Sequence, residues 1–196
     1  MSIVIETKNA IINSNQTLTK NIANFLLPYS LTRKVADRGV IFAYYRRFMR
    51  LRRYISQREM IQNTYVGYVK YKFKYEDYEK RRDLVLSNPK PLGNDWKQRL
   101  QNTYHFTLNA ASYIEQEDSS LASDILIARQ IMKNVLTHEY SKIEKDQKLG
   151  STEYYDYRIA FKQHDPESVS KNVKVQAIGE FDKNVVYLNE ILGTQL

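Results

Sequence analysis

Guanidinium groups and aromatic rings alternate most densely in Tyr44-Tyr45-Arg46-Arg47-Phe48-Met49-Arg50-Leu51-Arg52-Arg53-Tyr54. Planar guanidinium forks pair bidentately with carboxylates and phosphates, so the stretch is suited to holding an anionic partner. Residues that could transform a substrate are scarce. The chain has no G-x-S-x-G elbow, no phosphate-cradling glycine loop and no H-E-x-x-H pair, and it contains only six glycines. Glu115, Glu117 and Asp118 stand together, but a solvated helix end accounts for such a charge run. The absence of cysteine excludes disulfides, thiolate chemistry and cysteine-bound metals. His105, His138 and His164 form no pair at helical spacing, so no metal site is expected either. The chain is therefore read as non-enzymatic, with no intrinsic cofactor.

Charge placement narrows the partner. From Arg33 to Arg82 there are 15 Lys/Arg against 5 Asp/Glu, which leaves 15 against 17 elsewhere and puts the whole net charge of +8 in that segment. Such a patch seeks nucleic acid, an anionic membrane surface or an acidic protein. Tyr68-Val69-Lys70-Tyr71-Lys72-Phe73-Lys74-Tyr75 interleaves rings with lysines, as stacking platforms for single strands do. Helical spacing favours a different account, with Tyr68, Tyr71 and Tyr75 on an inner face and Lys70 and Lys74 outside. No apolar run approaches the ~18 residues of a membrane span.

The elements that must position these groups are helical. Ile41, Tyr44, Tyr45, Phe48, Leu51 and Ile55 share one face of a helix starting near Val40. Arg46, Arg50 and Arg53 fall on the other side, within a sector of ~60°, with Arg47 at its edge and Arg52 at the margin of the apolar stripe. Ser56-Gln57-Arg58-Glu59 has the form of a capping box, so a second helix follows at once, runs to about Leu86 and makes an antiparallel hairpin with the first. Gly67 inside it costs about 1 kcal/mol relative to alanine, which either close packing or a ligand would offset. A third helix follows Asn94-Asp95, with Trp96, Leu100, Thr103, Tyr104, Ala110, Ala111 and Ile114 inward. A fourth follows the polar break Glu117-Asp118-Ser119-Ser120, with Leu121, Ile125, Ala128, Ile131, Met132, Val135, Leu136, Tyr140 and Ile143 inward.

The ends are less regular. Ser2 to Ile12 reads as a short strand pair or extended arm turning at Lys8-Asn9, Asn13 to Lys20 as irregular, and Phe25-Leu26-Leu27-Pro28 as an apolar anchor. With Glu6 early and no arginine before Arg33, no cleavable presequence is visible. The tail alternates at Val173 and Val175 like a strand, then becomes helical through Phe181, Val185, Leu188 and Leu192 and closes on Gly193. The whole reads as an all-α antiparallel helical bundle: an N-terminal arm over 1–38, the bundle over 39–143, a polar linker over 144–172 and a C-terminal strand/helix docking segment over 173–196.

Tyr44-Tyr45-Arg46 early in a first helix, then Arg50, Arg53 and Tyr54, then a tightly joined aromatic and basic second helix, resembles the LYR-motif family of small mitochondrial proteins. Tyr44 stands where that family has leucine. The resemblance implies a three-helix core, here with a fourth helix added, that receives the acyl-phosphopantetheine arm of mitochondrial acyl carrier protein and meets its acidic helix. It implies contact residues Tyr45, Arg46, Arg47, Arg50 and Arg53, to which the outward Lys70 and Lys74 are added, and an acyl-chain pocket at Tyr44, Phe48, Tyr65, Gly67 and Tyr68.

A more specific resemblance rests on Tyr45-Arg46-Arg47-Phe48-Met49-Arg50-Leu51, on Thr64-Tyr65 with Tyr68-Val69-Lys70-Tyr71-Lys72-Phe73, and on the terminal Val186-Tyr187-Leu188-Asn189-Glu190-Ile191-Leu192-Gly193-Thr194-Gln195-Leu196. These segments are similar to the fungal increased recombination centers protein 19 family, also called required for respiratory growth. That resemblance implies a place in the mitochondrial matrix and a role in mitochondrial DNA maintenance, respiratory growth, genome integrity and sporulation. The expectation is a non-enzymatic adaptor or assembly factor docking an acidic partner, with a basic protein acting on mitochondrial DNA or ribosomal RNA as the alternative.

Overall fold

The computed structural model describes residues 4–13, 16–27, 36–113, 119–149 and 173–196. They gather into two compact units, each drawn from two pieces of chain: Met1–Lys74 with Tyr104–Thr137, and Tyr75–Thr103 with His138–Leu196. Most described residues are helical, as expected, and the N-terminal arm adds a small sheet.

The first unit opens with β1 (Ile5–Glu6), β2 (Ala10–Ile12) and β3 (Thr17–Thr19), antiparallel in that order. Ile5 faces Ile12 and Ile11 faces Leu18. The hairpin turns at Lys8-Asn9 as expected, closed by Thr7, whose Oγ1 accepts from Ala10 N at 3.0 Å. The strand Thr17–Thr19 lies in a stretch read as irregular. Its threonines are β-branched, and Gln16 N donates to Asn13 Oδ1 at 2.7 Å in an Asx turn that brings it back onto β2.

Helix α1 (Asp37–Arg50) is followed by the short α2 (Arg52–Ile55) and by α3 (Glu59–Lys74). The first helix was expected to run unbroken, but Leu51 N turns back to Phe48 O at 3.0 Å and α2 starts afresh from Leu51 O. The inner face is also shifted. Val40, Tyr44, Phe48 and Leu51 are buried, whereas Ile41 is 37% exposed and Tyr45 lies at the rim. Tyr45 meets Phe73 (5.4 Å between ring centres) and Arg52 NH2 donates to Asn63 Oδ1 at 2.9 Å, which fixes the hairpin as antiparallel. Only half of the capping box forms. Ser56 Oγ accepts from Arg58 N at 3.1 Å, and it is Gln62, not Glu59, whose side chain returns, to Ser56 O at 2.8 Å.

Tyr104 occupies the centre of this unit at 1% exposure, on α5 (Trp96–Ala111). Its ring stands edge-on to Phe48 (5.1 Å) and Tyr44 (5.7 Å), and its hydroxyl donates to Phe25 O at 2.7 Å. Tyr65, fully buried, donates to Phe48 O at 2.9 Å. Burial raises both phenols, Tyr104 to about 12, which outweighs the opposing pull of Arg47 on Tyr104. Helix α6 (Ser119–Leu149) contributes Ile125, Ala128, Met132, Val135 and Leu136, all buried as its periodicity requires. Arg129 ties it to the end of α5, donating to Ala110 O (3.2 Å) and Ser112 O (2.7 Å), two carbonyls a helix end leaves unpaired.

In the second unit, α4 (Tyr78–Val85) was expected to continue the preceding helix. The Asp77 carboxylate instead accepts from Lys80 N at 3.1 Å and caps a new one, the local competition by which aspartate favours helix starts over helix interiors. Asn88 then adopts a φ of 55° before Pro89. Helix α6 extends to Leu149, past the point where the polar linker was expected to begin; Gly150 to Asn172 lie outside the described residues. Helix α7 (Val173–Leu192) is helical from its first residue, so the expected strand at Val173 and Val175 does not form. Two alternating valines are too short a pattern to hold a strand without a partner. Gly193 closes α7 with a φ of 61°, as expected.

Among the described residues, no helix is long and apolar enough to cross a membrane, and no three His, Asp or Glu side chains gather where a metal ion could bind.

Removing only the hydroxyl of Tyr104 tests its place at this centre. Tyr104→Phe should cost about 1 kcal/mol, the net worth of one buried hydrogen bond. Tyr104→Ala should cost about 3–5 kcal/mol, because the neighbouring rings lose their central contact. Urea denaturation followed by far-UV circular dichroism reads both, and equal losses for the two variants would show that ring packing is not what matters there.

Candidate docking surface

The hairpin from Asp37 to Lys74 carries ten Lys/Arg against two Asp/Glu, a surplus of eight that equals the net charge of the whole chain. Because the rings of Tyr44 and Phe48 set the phase of α1, its guanidinium groups divide. Arg46, Arg50 and Arg53 are exposed, as are Lys70 and Lys74 on α3. Among the described residues, Arg46, Arg53 and Lys70 make no ion pair. Arg47 is turned inward instead, donating to Phe25 O at 2.6 Å beside Tyr104. Arg50 stacks over the Phe25 ring at 5.5 Å and keeps its outer edge in water. Phe42, unremarked in the sequence, is 53% exposed on this outer face, with Arg38 over its ring at 5.6 Å. The signal was present: with Val40, Tyr44 and Phe48 inward, a residue two positions from Val40 and Tyr44 has to point outward.

Of the residues expected to line an acyl chain, Tyr44, Phe48, Tyr65 and Tyr68 are buried core side chains, and Gly67 is half-buried in α3. Phe73 and Tyr104 close on Phe48 at 5.6 and 5.1 Å, so the interior is occupied by rings. The interleaved aromatics of α3 are spent in the same way. Tyr68 is buried, Tyr71 is half-buried and Phe73 packs against Tyr45 and Phe48, but Tyr75, expected on the inner face, is 51% exposed because the helix ends at Lys74.

The second unit holds a polar assembly that sequence periodicity did not reveal. The Glu190 carboxylate receives Arg82 through Nε (2.9 Å) and NH2 (2.8 Å), and Arg99 through NH1 (2.9 Å) and NH2 (3.3 Å). Burial alone would raise this carboxyl, but the two arginines outweigh it and hold the group below its ordinary value. Beyond Gly193 the chain hooks back. Asn189 Oδ1 accepts from Thr194 Oγ1 (2.8 Å) and Leu196 N (2.7 Å), while its amide donates to Leu196 O (2.9 Å). Asn102 and Thr103 on α5 hold Gly193 O and Gln195 N, at 3.0 and 2.7 Å.

A second cluster fastens α7 to α6. Lys142 Nζ, 4% exposed with its residue, donates to Glu139 (3.0 Å) and to Asp182 (2.7 Å). His138 stacks on Phe181 at 4.2 Å with Nε2 3.6 Å from the Asp182 carboxylate. Burial, reinforced by the Lys142 charge, holds the His138 imidazole below its usual value against the pull of Asp182 and Glu139.

A model of the family described as increased recombination centres protein 19 matches residues 5–196. The chain belongs to that family. Among its relatives are proteins named increased recombination centers protein 19 from Vanderwaltozyma polyspora, 36% identical over 100% of this chain and 98% of the relative, and from Zygosaccharomyces rouxii, 38% identical over 98% of each. The protein of that name from Candida glabrata is 29% identical over 98% of this chain and 96% of the relative. No solved structure matches the chain. In this member of the family, the terminal segment that carries the resemblance is the segment that forms the hook: Asn189, Glu190, Gly193, Thr194 and Leu196 each make one of its bonds.

Glu190→Gln should destabilise the fold by about 3 kcal/mol, since removing one member of a largely buried ion set strands the others, and chemical denaturation measures it. His138 predicts a separate acid limit. Its lowered value means the unfolded chain takes up the proton first, so its contribution is complete above about pH 6.5 and is lost as the pH falls through the folded value. His138→Gln should flatten the loss of stability that sets in as the pH falls below about 6.5, before the more acidic range in which Glu190 is protonated. An unchanged pH profile would assign that loss elsewhere.

Proposed function

We propose that the chain is a non-enzymatic adaptor or assembly factor of the mitochondrial matrix that recruits an acidic protein through the outer face of α1, and that this recruitment serves genome integrity, mitochondrial DNA maintenance included. One observation carries the docking: Arg46, Arg50 and Arg53 are exposed on one helical hairpin that holds the chain's whole charge surplus. Single exposed ion pairs are worth at most about 1 kcal/mol. A row of them against a complementary surface steers encounter and fixes orientation. The cellular setting rests on the family, whose members bear the name increased recombination centers protein 19, and on the respiratory growth and sporulation roles that the resemblance implies.

Mitochondrial acyl carrier protein is the partner suggested by the likeness of Tyr44-Tyr45-Arg46 and the following arginines to the LYR pattern. Its acyl-phosphopantetheine arm would meet an interior already filled by Tyr44, Phe48, Tyr65 and Tyr68, so the docking is assigned to the surface arginines. A second reading, direct binding of mitochondrial DNA or ribosomal RNA, is favoured by the ten-to-two charge ratio of the hairpin.

Affinity capture from mitochondria with mass spectrometry should recover an acidic protein, acyl carrier protein foremost, with the wild-type chain. The Arg46→Ala/Arg50→Ala variant, which should remain folded and give up only the contact of Arg50 with the Phe25 ring, worth about 0.5–1 kcal/mol, should lose it. Equal recovery by the variant would overturn the proposal. For the second reading, filter binding to mitochondrial DNA at about 50 mM salt should show affinity falling steeply as salt rises, and no retention at that salt removes it.

A further inference from the structure

Arg38, Phe42, Arg46 and Arg50 recur every fourth residue on α1, and all four are exposed. Residues at that interval form a continuous ridge along a helix, here about 18 Å long at ~1.5 Å rise per residue. The ridge is guanidinium, ring, guanidinium, guanidinium. Ile41 stands beside the ring at 37% exposure, and the only carboxylates in the hairpin are Asp37 and Glu59. A phenylalanine 53% exposed leaves half of its apolar surface in water, while arginines one turn to either side keep it in a strongly cationic setting. We infer that Phe42 is the apolar anchor of the docking face, and that the partner presents an acidic amphipathic helix. In that helix an apolar side chain covers Phe42, and carboxylates about one and two turns away meet Arg46 and Arg50.

The inference rests on the docking proposed for α1 and adds the shape and pattern of the partner. Ridge geometry favours a helix, because an i, i+4 ridge is what the groove of a second helix accepts. Charge complementarity requires that helix to be acidic. The ring requires an apolar position in the same face, since aromatic and arginine side chains that become fully desolvated carry most of the energy of an interface. Nucleic acid fits less well, as the Arg38 guanidinium already covers one approach to the Phe42 ring on which a base would stack.

The test uses the full chain and labelled synthetic peptides. One is an 18-residue helix former with leucine flanked by glutamates at helical spacing, and the other has the same composition scrambled so that leucine and glutamate share no face. Fluorescence anisotropy should show the patterned peptide binding at least about tenfold more tightly than the scrambled one, with Phe42→Ala removing most of that difference and leaving the melting temperature unchanged. Equal affinity for both peptides overturns the inference, and so does tighter binding of a labelled single-stranded oligonucleotide than of either peptide. If Phe42→Ala is without effect while Arg46→Ala/Arg50→Ala abolishes peptide binding, the anchor fails and charge-driven docking stands. If the arginine variant binds like the wild type, the docking reading itself fails.

Discussion

Aromatic rings and guanidinium groups are crowded into the same eleven residues from Tyr44 to Tyr54, and only one helical phase can bury the first while leaving the second in water. A ring left in water forgoes its burial energy, and an unpaired guanidinium in the core costs several kcal/mol, so both penalties favour the same rotation. That rotation places Tyr44 and Phe48 against Tyr104 and buries Leu51, and it turns Arg46 and Arg50 outward. Arg47 and Arg52 fall at the boundary, and each finds an oxygen acceptor, Phe25 O and Asn63 Oδ1. The basic outer face is thus a consequence of how the core is made.

The second unit solves a different problem. Beside the apolar side chains of α7, its interior includes Arg82, Glu139, Lys142, Asp182 and Asn189. Buried charges are tolerable when they are paired and hydrogen-bonded. Arg82 meets this almost completely, with the Glu190 carboxylate on one side and Lys90 O at 2.9 Å on the other. Asn189, fully buried, uses its amide and its carbonyl on the hook formed by Thr194 and Leu196. Such a network specifies geometry more sharply than apolar contact does, because each bond is lost outright when a partner moves.

Much of this was legible in the sequence where periodicity is the controlling signal. The hairpin of α1 and α3, the inner faces of α5 and α6, the turn at Lys8-Asn9 and the glycine stop at Gly193 follow from spacing and turn chemistry that act within a few residues. The errors lie where two local preferences compete. Asp77 could continue a helix or cap a new one, and its side chain chose the cap. Ile41 and Val40 are both good core residues, and the bulk of Tyr44 and Phe48 decided which of them faced inward. Thr17–Thr19 became a strand only because β2 lay beside it. The pairing of Arg82 and Arg99 with Glu190 was invisible for another reason: it joins residues about a hundred positions apart, and no local pattern encodes such pairs.

Of the segments that carry the family resemblance, the terminal one and the one on α1 therefore differ in what they leave available. In the tail, Asn189, Glu190, Thr194 and Leu196 spend their polar groups within the chain, and groups already answered internally have little left to offer a partner without breaking the fold. On α1, Arg46 is exposed and makes no ion pair among the described residues, so a partner can engage it without a compensating loss. Two motifs that mark the same kinship thus differ in how much of their side-chain chemistry the fold itself consumes. The physical criterion separating them is whether the side chains have already found their partners. By that criterion the tail maintains the second unit, and the ridge of α1 keeps side chains that are still open to a partner.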